Sequence, residues 1–269
     1  MTLKSLENDN LTLSQAIVEA TDTLSHFVVP LYFDDEMTNR PVLFGTGFFI
    51  RHGKNHFLVS AAHVIAQTAK SALYFYKTPN LKCHILGKGL TTKPPGGNGH
   101  DDPIDIAIWK MPSEENPPFP EVNKHALDAA CLRPLHLPRA GRTYVMLGFP
   151  ATKSKVEWQN QQLVAASLYA YRSDSISDSK YQSYEVSPET HIILPFNKNK
   201  GVDLEGQHVN LPDPNGMSGA PIFVLYEENS NSAVFPLVGV GIEYRKQKKC
   251  VVGADIHTVV KMIESAGEW

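Results

Sequence analysis

Three short segments of the chain carry residue types that can act together in nucleophilic catalysis. His63 follows an apolar run that ends in Ser-Ala-Ala, Asp105 heads the apolar run Ile-Ala-Ile-Trp, and Ser218 lies in the turn Gly-Met-Ser-Gly-Ala-Pro. A carboxylate that accepts a hydrogen bond from one imidazole nitrogen leaves the other nitrogen free to take a proton. Such an imidazole activates a serine hydroxyl for attack on a carbonyl carbon. The three segments therefore indicate chemistry at a reactive serine.

Each segment taken alone also has an ordinary structural explanation. A histidine at the end of a strand is more often a surface side chain without a role, Asp105 can simply cap a turn, and a Gly/Pro turn can contain an incidental serine. Two features favour the functional interpretation. A carboxylate at the head of an apolar strand needs a dedicated hydrogen-bond donor. Gly216 and Gly219 flank Ser218 and permit positive φ, so that backbone N–H groups can line one concave pocket.

The elements that must position these residues are mainly short strands. Runs rich in β-branched and aromatic residues, separated by turn clusters, are typical of strands. Such runs cover residues 27–33, 42–50, 57–61, 72–77, 104–111, 143–147, 162–172, 191–195, 221–226 and 236–244. Apolar spacings of three and four predict a short helix over 11–24 and another over 255–264, with Asp255 as its N-cap. Many short strands and few helices predict an all-β barrel or sandwich.

Composition excludes several classes of protein. The chain has 269 residues, 42% of them hydrophobic and 20% charged, which excludes wholesale disorder. Its net charge of −3 gives no footprint for nucleic acid or for an anionic membrane surface. No apolar stretch approaches the roughly 18 residues of a membrane-spanning helix, and Cys83, Cys131 and Cys250 are too scattered for a disulfide framework. With acidic residues where a signal peptide needs an apolar region, the sequence predicts a cytoplasmic protein.

Four motifs follow one another along the chain in the order His, Asp, Ser. They are Gly-Thr-Gly-Phe, Ser-Ala-Ala-His, Asp-Ile-Ala-Ile and Gly-Met-Ser-Gly-Ala-Pro. Together they resemble the trypsin-like, or chymotrypsin-fold, serine proteases, and in particular a disulfide-free bacterial branch similar to the HtrA-type protease domain. The resemblance implies an all-β fold of two antiparallel six-stranded β-barrels, with short N-terminal and C-terminal helices.

The resemblance also implies one protease domain over residues 1–269. The Pro-rich stretch 117–139 lacks the alternation of a strand, and we place the boundary between the two barrels within it. Residues 25–125 then form the first barrel, with His63 and Asp105. Residues 126–253 form the second barrel, with Ser218, and residues 254–269 form the C-terminal helix.

Each residue of the three segments receives a role from the resemblance. Ser218 matches the nucleophile, His63 the general base that later acts as general acid, and Asp105 the residue that orients and supports the imidazole. The backbone N–H groups of Gly216 and Ser218 match the oxyanion hole. No cofactor is implied, and no metal site is expected because His, Cys and acidic residues do not recur at ligand spacing.

Departures from the family pattern bear on regulation. Met217 stands where zymogen-activated members carry an acid that receives a freed N-terminal ammonium, so activation by N-terminal insertion is not expected. Ala220 replaces a common glycine. The chain ends soon after its last predicted helix, which predicts that no peptide-binding PDZ module follows.

The resemblance implies a specificity pocket built from the segment just before the serine and from the strand after it. Asp213 and Glu243 lie in these segments and could favour a basic side chain, although solvated surface acids are the commoner case. Extended substrates usually dock by adding a strand to an exposed edge. The predicted edge is 239–243, with Gly239, Gly241 and Ile242 as further contacts.

The function predicted from these features is that of a serine endopeptidase acting on polypeptides through an acyl-enzyme intermediate. A stand-alone protease of this kind endangers its host, so a regulatory partner or a stress or defence role is part of the hypothesis. Two alternatives remain open at this point. One is a catalytically silent, protease-like module that binds a peptide, and the other is a serine esterase with the same three residues.

Overall fold

A computed structural model of the chain describes most of its residues. The described residues are 18, 21–78, 81–85, 89–92, 102–111, 126–134, 139–153, 158–159, 162–163, 166–202, 208–227 and 235–266. Residue 18 and residues 21–25 are helical, and the rest of the N-terminal helix predicted over 11–24 lies outside the described residues. None of the helices in the described part is both long and apolar enough to cross a membrane.

Besides the helical residues 18 and 21–25, the described residues contain eighteen strands and two α-helices with defined bounds. The strands are β1 (Val28–Asp34), β2 (Pro41–His52), β3 (Asn55–Ala61), β4 (Tyr74–Thr78), β5 (Leu81–His84), β6 (Gly89–Thr91), β7 (Ile106–Lys110), β8 (Leu127–Asp128), β9 (Arg142–Gly148), β10 (Trp158–Gln159), β11 (Gln162–Leu163), β12 (Tyr169–Asp174), β13 (His191–Pro195), β14 (Gly201–Val202), β15 (His208–Val209), β16 (Pro221–Glu227), β17 (Leu237–Arg245) and β18 (Cys250–Asp255). The helices are α1 (Ala62–Ile65) and α2 (His257–Ala266), and 3-10 turns cover Ala66–Ala69, Ala129–Cys131, Asp178–Tyr184 and Lys198–Lys200.

The strands form two large sheets and two small hairpins. The first sheet has the order β5-β4-β1-β2-β3-β7-β6, and β8 adds to β2 in parallel. The second sheet has the order β12-β9-β16-β17-β18-β13, and all its pairs are antiparallel. Its two end strands meet through side chains, because Tyr171 Oη donates to Pro195 O at 2.5 Å and Ser173 Oγ donates to the same oxygen at 3.2 Å. The predicted all-β fold of two barrels is confirmed.

Three details of the sequence prediction need correction. The first sheet has eight strands rather than six, because the short strands β5, β6 and β8 gave no apolar run that the sequence pattern could detect. The strand predicted over 162–172 is two elements, β11 and β12. The C-terminal helix begins at His257, and Asp255 ends strand β18 instead of occupying the N-cap position. Asp255 still satisfies the first turn of the helix, since its Oδ1 accepts the N–H of His257 at 2.9 Å.

The central strands of both sheets read as unbroken apolar runs because both of their faces are buried. Side chains alternate between the two faces of a strand. Phe48 and Ile50 of β2 therefore join one core cluster while Phe49 between them joins another. On β9, Val145 joins the first of these clusters and Met146 joins a third. One cluster fills each barrel, and the cluster shared by Phe48 and Val145 lies between the sheets and holds them together.

Candidate functional site

Asp105 lies in a braced turn directly before β7, and its φ of 50° is in the left-handed region. Asp and Asn adopt this region more readily than other residues with a side chain. The turn before it is held by hydrogen bonds from Thr92 Oγ1 to Asp102 Oδ2 at 2.6 Å and from Ile104 N to Asp102 Oδ1 at 3.1 Å. Asp102, the neighbouring acid in the sequence, is thus a structural brace. Asp105 itself is left to face the end of β3.

His63 lies on the one-turn helix α1, which begins where β3 ends. Its Nδ1 is 2.5 Å from Asp105 Oδ2, and its backbone N–H donates to Asp105 Oδ1 at 2.8 Å. The backbone N–H of Ala62 also donates to the Asp105 carbonyl at 2.8 Å. An ionised carboxylate only accepts hydrogen bonds, so the proton between the side chains is on Nδ1 and Nε2 is left unprotonated in the neutral ring. The His63 side chain is 44% exposed and that of Asp105 16%, so the base is accessible while its carboxylate partner is mostly covered.

The Ser218 turn depends on two glycines with positive φ. Gly216 has a φ of 91° and Gly219 a φ of 90°, as the sequence predicts for the residues that flank the serine. At Gly219 there is also no space for a side chain. An added methyl group would lie 2.0 Å from the carbonyl oxygen of Thr46 and 2.2 Å from Ser60 Oγ. The serine turn of the second sheet is therefore pressed against the backbone of the first.

Every carbonyl oxygen of residues 214–218 accepts a hydrogen bond from the protein. The bonds are Met217 N to Pro214 O at 2.9 Å, Ala151 N to Asn215 O at 2.7 Å, Thr46 Oγ1 to Gly216 O at 3.1 Å, Ala220 N to Met217 O at 2.9 Å, and Thr46 N to Ser218 O at 2.8 Å. The orientation of each peptide plane in the turn is thereby fixed. The turn is a rigid element even though it contains two glycines.

The N–H groups of Gly216 and Ser218, like that of Asn215 before them, have no acceptor among the described residues. In a trans peptide the C=O and N–H bonds point in opposite directions. Because Asn215 O and Met217 O are both bound to the protein, the N–H groups that follow them point away from those anchors. Paired, unused N–H groups of this kind form an anion-binding concavity. They are the two groups predicted from the sequence for an oxyanion hole.

Val64, the neighbour of His63, and the backbone of Ser218 both lie against Gly45. A methyl group on Gly45 would lie 2.6 Å from Val64 Cγ1 and 3.2 Å from Ser218 O. The two segments can approach each other this closely because Gly45 has no side chain. The Ser218 hydroxyl donates to Ile242 O at 3.4 Å, and His63 Nε2 has no hydrogen-bond partner in the described part of the chain. His63 is therefore paired with Asp105, and the segment that carries Ser218 lies close to the segment that carries His63.

The predicted substrate edge is only partly an edge. Gly239 is paired with Ile222 of β16 on one side and with Asp255 of β18 on the other, so it cannot receive another strand. The prediction for Gly239 is wrong because β17 lies in the middle of its sheet. Pairing with β16 ends at Val240.

Beyond Val240, the side of β17 that β16 leaves open is first occupied by the serine turn. The N–H of Gly241 donates to Ala220 O at 2.8 Å, and Gly241 O accepts from Gly219 N at 2.7 Å. The open edge therefore begins at Ile242 and continues through residues 243–245, which β18 pairs on the opposite side.

The two acids predicted for substrate specificity have different environments. Glu243 is exposed and accepts a hydrogen bond from Arg245 Nε at 2.7 Å, so its charge is already paired along the strand. Asp213 is half-buried and close to Tyr244. Burial raises the pKa of the Tyr244 phenol, and the negative charge of Asp213 adds to the rise. Asp213 is the acid that faces the open part of β17.

Sequence reasoning missed the residue that connects the serine turn to the first sheet, Thr46. Thr46 was noted only as part of the Gly-Thr-Gly-Phe motif, and nothing local to that motif points to a contact with a residue 170 positions away.

Sequence reasoning also missed His191, a buried histidine of the second sheet. Its Nε2 is 2.8 Å from Pro103 O, in the turn that carries Asp105.

No group of three or more His, Cys, Asp or Glu side chains in the described residues could hold a metal ion. Cys83, Cys131 and Cys250 form no disulfide among the described residues, and Cys83 and Cys250 are buried. Burial raises the pKa of the Cys250 thiol to about 11, so this thiol is poorly suited to act as a nucleophile. The serine, the histidine and the aspartate therefore remain the candidate groups for chemistry at this site.

Comparison with known proteins identifies the fold. No family model matches the sequence, and no curated protein matches it. Among solved structures, a Glu endopeptidase superposes with a TM-score of 0.51 at 14% identity, covering 91% of this chain and 91% of that one. The protease Anisep from Arthrobacter nicotinovorans superposes with a TM-score of 0.50 at 13% identity, covering 85% of this chain and 89% of that one. The chain therefore has the two-barrel, chymotrypsin-like fold of these proteases.

Proposed function

We propose that the chain is a serine endopeptidase that cleaves polypeptides through an acyl-enzyme intermediate. One observation carries the proposal. A histidine that is hydrogen-bonded to Asp105 lies near a serine turn in which the carbonyls of residues 214–218 are bound, while the N–H groups of Gly216 and Ser218 have no acceptor among the described residues. This is the arrangement that attack on a carbonyl carbon needs, namely a base for the nucleophile and two donors for the developing negative charge.

In the acylation step, Ser218 Oγ forms a bond to the carbonyl carbon of the scissile peptide and its proton passes to His63 Nε2. The carbonyl π electrons move to oxygen, and the resulting oxyanion accepts hydrogen bonds from the N–H groups of Gly216 and Ser218. Asp105 stabilises the imidazolium through Nδ1. Collapse of the tetrahedral species breaks the C–N bond, and the leaving amine takes the proton from Nε2.

Deacylation repeats these steps with water as the nucleophile. His63 Nε2 takes a proton from the water as its oxygen attacks the ester carbonyl, and the proton is returned to Ser218 Oγ as the acyl group leaves. The first reaction requires the serine hydroxyl to turn from Ile242 O toward the imidazole. At 3.4 Å that hydrogen bond is long and weak, so breaking it costs little free energy.

The substrate is positioned as an added strand on the free edge that begins at Ile242. Backbone pairing along residues 242–245 would place a substrate carbonyl next to Ser218, because the serine hydroxyl already touches Ile242 O. Strand addition gives affinity that does not depend on sequence. Asp213, the half-buried acid near Tyr244, supports a preference for basic side chains.

The proposed control of the activity does not involve activation by a freed N-terminus. Met217 is 5% exposed and packs against Gly148, and its thioether has no charge to receive a freed N-terminal ammonium. A regulatory protein partner is therefore proposed instead of N-terminal insertion, as expected for a stress or defence effector. A cytoplasmic location remains a prediction from the sequence.

A fluorophosphonate probe tests the proposal directly. The wild-type chain should be labelled on Ser218, and Ser218→Ala and His63→Ala should not be labelled. Labelling that persists in Ser218→Ala, or an inert wild type, would contradict the proposal and favour a silent peptide-binding module. A library of peptides and matched esters then distinguishes an endopeptidase from an esterase. Asp213→Asn should selectively lower cleavage after Lys and Arg if that acid sets the preference.

A further inference from the structure

We propose that Thr46 is a positioning residue whose hydroxyl, supplied by the first sheet, fixes the oxyanion-binding peptides of the Ser218 turn. The proposal rests on the function proposed above. Thr46 is fully buried, with 0% of its surface exposed, and it belongs to β2. It does not touch the reacting atoms. It acts on the peptide plane that lies between the two free N–H groups.

The backbone of Thr46 is available for this contact because β2 is only partly paired on that side. Pairing between β2 and β3 begins at Phe48, so the backbone of Thr46 has no strand partner there. The serine turn fills the gap, and the N–H of Thr46 donates to Ser218 O at 2.8 Å. The Thr46 carbonyl accepts from Ser60 Oγ at 2.7 Å. Both backbone polar groups of Thr46, the N–H and the carbonyl, are therefore hydrogen-bonded.

The direction of the side-chain hydrogen bonds is fixed by chemistry. Thr46 Oγ1 is 3.1 Å from the backbone nitrogen of Phe149, which can only donate. The single hydroxyl proton is thus left for Gly216 O, at 3.1 Å. One hydroxyl joins the end of β9 to the Gly216–Met217 peptide. Both its donor and its acceptor capacities are used.

Loss of the hydroxyl would leave two polar groups without a partner, the Phe149 N–H and the Gly216 carbonyl. An unsatisfied buried group is costly enough that the backbone moves to find a partner. Gly216, whose carbonyl loses its partner, is a glycine with a φ of 91°, so its backbone rotates without a side-chain penalty. Its rotation would turn its own N–H away from the oxyanion position. The defect would fall on the transition state, because the ground-state carbonyl needs the N–H pair much less.

Thr46→Val, Thr46→Ser and Thr143→Val in the full chain test this inference. Valine matches threonine in shape and lacks the hydroxyl, whereas serine keeps it. Thr143→Val is the matched control, since Thr143 Oγ1 makes a bond at the surface, to Asp174 Oδ1 at 3.0 Å. The measurements are kcat and KM on one peptide substrate, the affinity for a peptide aldehyde, the pH profile of kcat/KM and the thermal unfolding midpoint.

Thr46→Val should lower kcat by about 10²- to 10³-fold, the effect of losing one oxyanion donor. KM should stay within about twofold, because the β17 edge is untouched, and the affinity for the aldehyde should fall in parallel with kcat. The pH midpoint should not move, since the His63–Asp105 pair is unchanged. Thr46→Ser and Thr143→Val should both stay close to the wild type.

Three results would overturn the inference. One is a Thr46→Val protein with wild-type kcat, and another is a loss of kcat matched by a rise in KM. If Thr46→Val does not fold, Thr46→Ala takes its place, and failure of both to fold while Thr46→Ser is active would assign Thr46 a purely structural role. A wild type without Ser218-dependent hydrolysis would instead remove the proposed function, and this inference with it.

Discussion

The two turns that carry the proposed catalytic residues Asp105 and Ser218 place their positive φ angles on different kinds of residue. Both need a residue with positive φ. The serine turn uses glycines for it, at Gly216 and Gly219, and Ser218 between them keeps an ordinary backbone. The aspartate turn places the positive φ on Asp105 itself. The difference follows from what each turn has to present.

The serine turn presents backbone N–H groups and one hydroxyl, so the unusual dihedral angles can be assigned to residues whose side chains are not used. Asp105 both adopts the positive φ and supplies the carboxylate, so a glycine cannot take its place. A left-handed residue with a side chain costs about 1 to 2 kcal/mol. Hydrogen bonds from the backbone N–H groups of Ala62 and His63 to Asp105 offset this cost. A glycine would adopt this backbone conformation without strain, so the presence of an aspartate indicates that its carboxylate is needed there.

Gly219→Ala should be the most damaging change, because it adds a steric clash to the positive φ. A methyl group 2.0 Å from Thr46 O and 2.2 Å from Ser60 Oγ would force the serine turn off the first sheet. We expect at least about 3 kcal/mol of destabilisation and loss of hydrolysis. Chemical denaturation and the fluorophosphonate probe measure the two effects.

Gly53→Ala is the matched control for this prediction. Gly53 also has a positive φ, of 58°, but nothing lies within 4 Å of an added methyl group. It should cost only about 1 kcal/mol and leave hydrolysis unchanged. Similar stability losses for the two variants would mean that the dihedral angle, and not the contact with the first sheet, makes glycine necessary at 219.

Asp105→Asn and Asp105→Ala separate the carboxylate from the backbone strain. Asn tolerates the left-handed region almost as well as Asp, so Asp105→Asn should fold with nearly wild-type stability. Its kcat should still fall about 10⁴-fold, because the imidazole loses the partner that sets its tautomer. Asp105→Ala should lose the same activity and be less stable than Asp105→Asn by about 1 kcal/mol. Equal stability of the two variants, by denaturation, would show that Asp105 is not strained.

The sequence was sufficient to predict the three catalytic candidates because each lies in a short local pattern. The glycines around Ser218 and the apolar run after Asp105 are contiguous in the chain, and their order matches one known arrangement. An all-β barrel or sandwich was also predictable, since apolar runs are separated by turn residues, and the resemblance of the motifs to a known family implied two barrels. These features depend only on near neighbours.

Contacts between distant segments could not be predicted in the same way. Thr46 bonds to Gly216, and His191 bonds to Pro103, across the two sheets, and neither residue differs locally from an ordinary strand residue. The mistaken assignment of Gly239 to an edge has the same cause. Whether a strand is central or exposed is decided by the order of strands in the sheet, which the composition of one strand does not encode.

His191→Leu should have an intermediate effect, through the aspartate turn alone. His191 is 4% exposed, and because Pro103 O can only accept, Nε2 is the donor across 2.8 Å. Without it, one anchor of the Asp105 turn is lost, and we expect about 1 to 2 kcal/mol of destabilisation. The kcat should fall several-fold, far less than in Asp105→Asn. Unchanged kcat with reduced stability, in parallel assays, would mean that this contact only joins the sheets.

The smallest effect is expected at a carboxylate of the first sheet that is held without strain. Burial acts to raise the pKa of Asp34, but hydrogen bonds from Lys82 Nζ at 2.7 Å and Tyr74 Oη at 2.5 Å outweigh it, so the pKa lies below its ordinary value of 3.8. The ionised form is therefore favoured by folding, and its contribution is present above pH 3.8 and lost as the pH falls through the folded value.

Lys82→Met tests the contribution of this pair. Both side chains are about one-third exposed, at 33% for Lys82 and 36% for Asp34, and solvent screening limits the expected loss to less than about 1 kcal/mol at neutral pH. The difference from the wild type should shrink in denaturation experiments below pH 3.8, with kcat unchanged. A difference that persists in acid would assign the loss to the packing of Lys82 over the Tyr74 ring, 4.4 Å from its centre. A change in kcat would show that Asp34 is coupled to the site, and the contrast with Asp105 would then no longer hold.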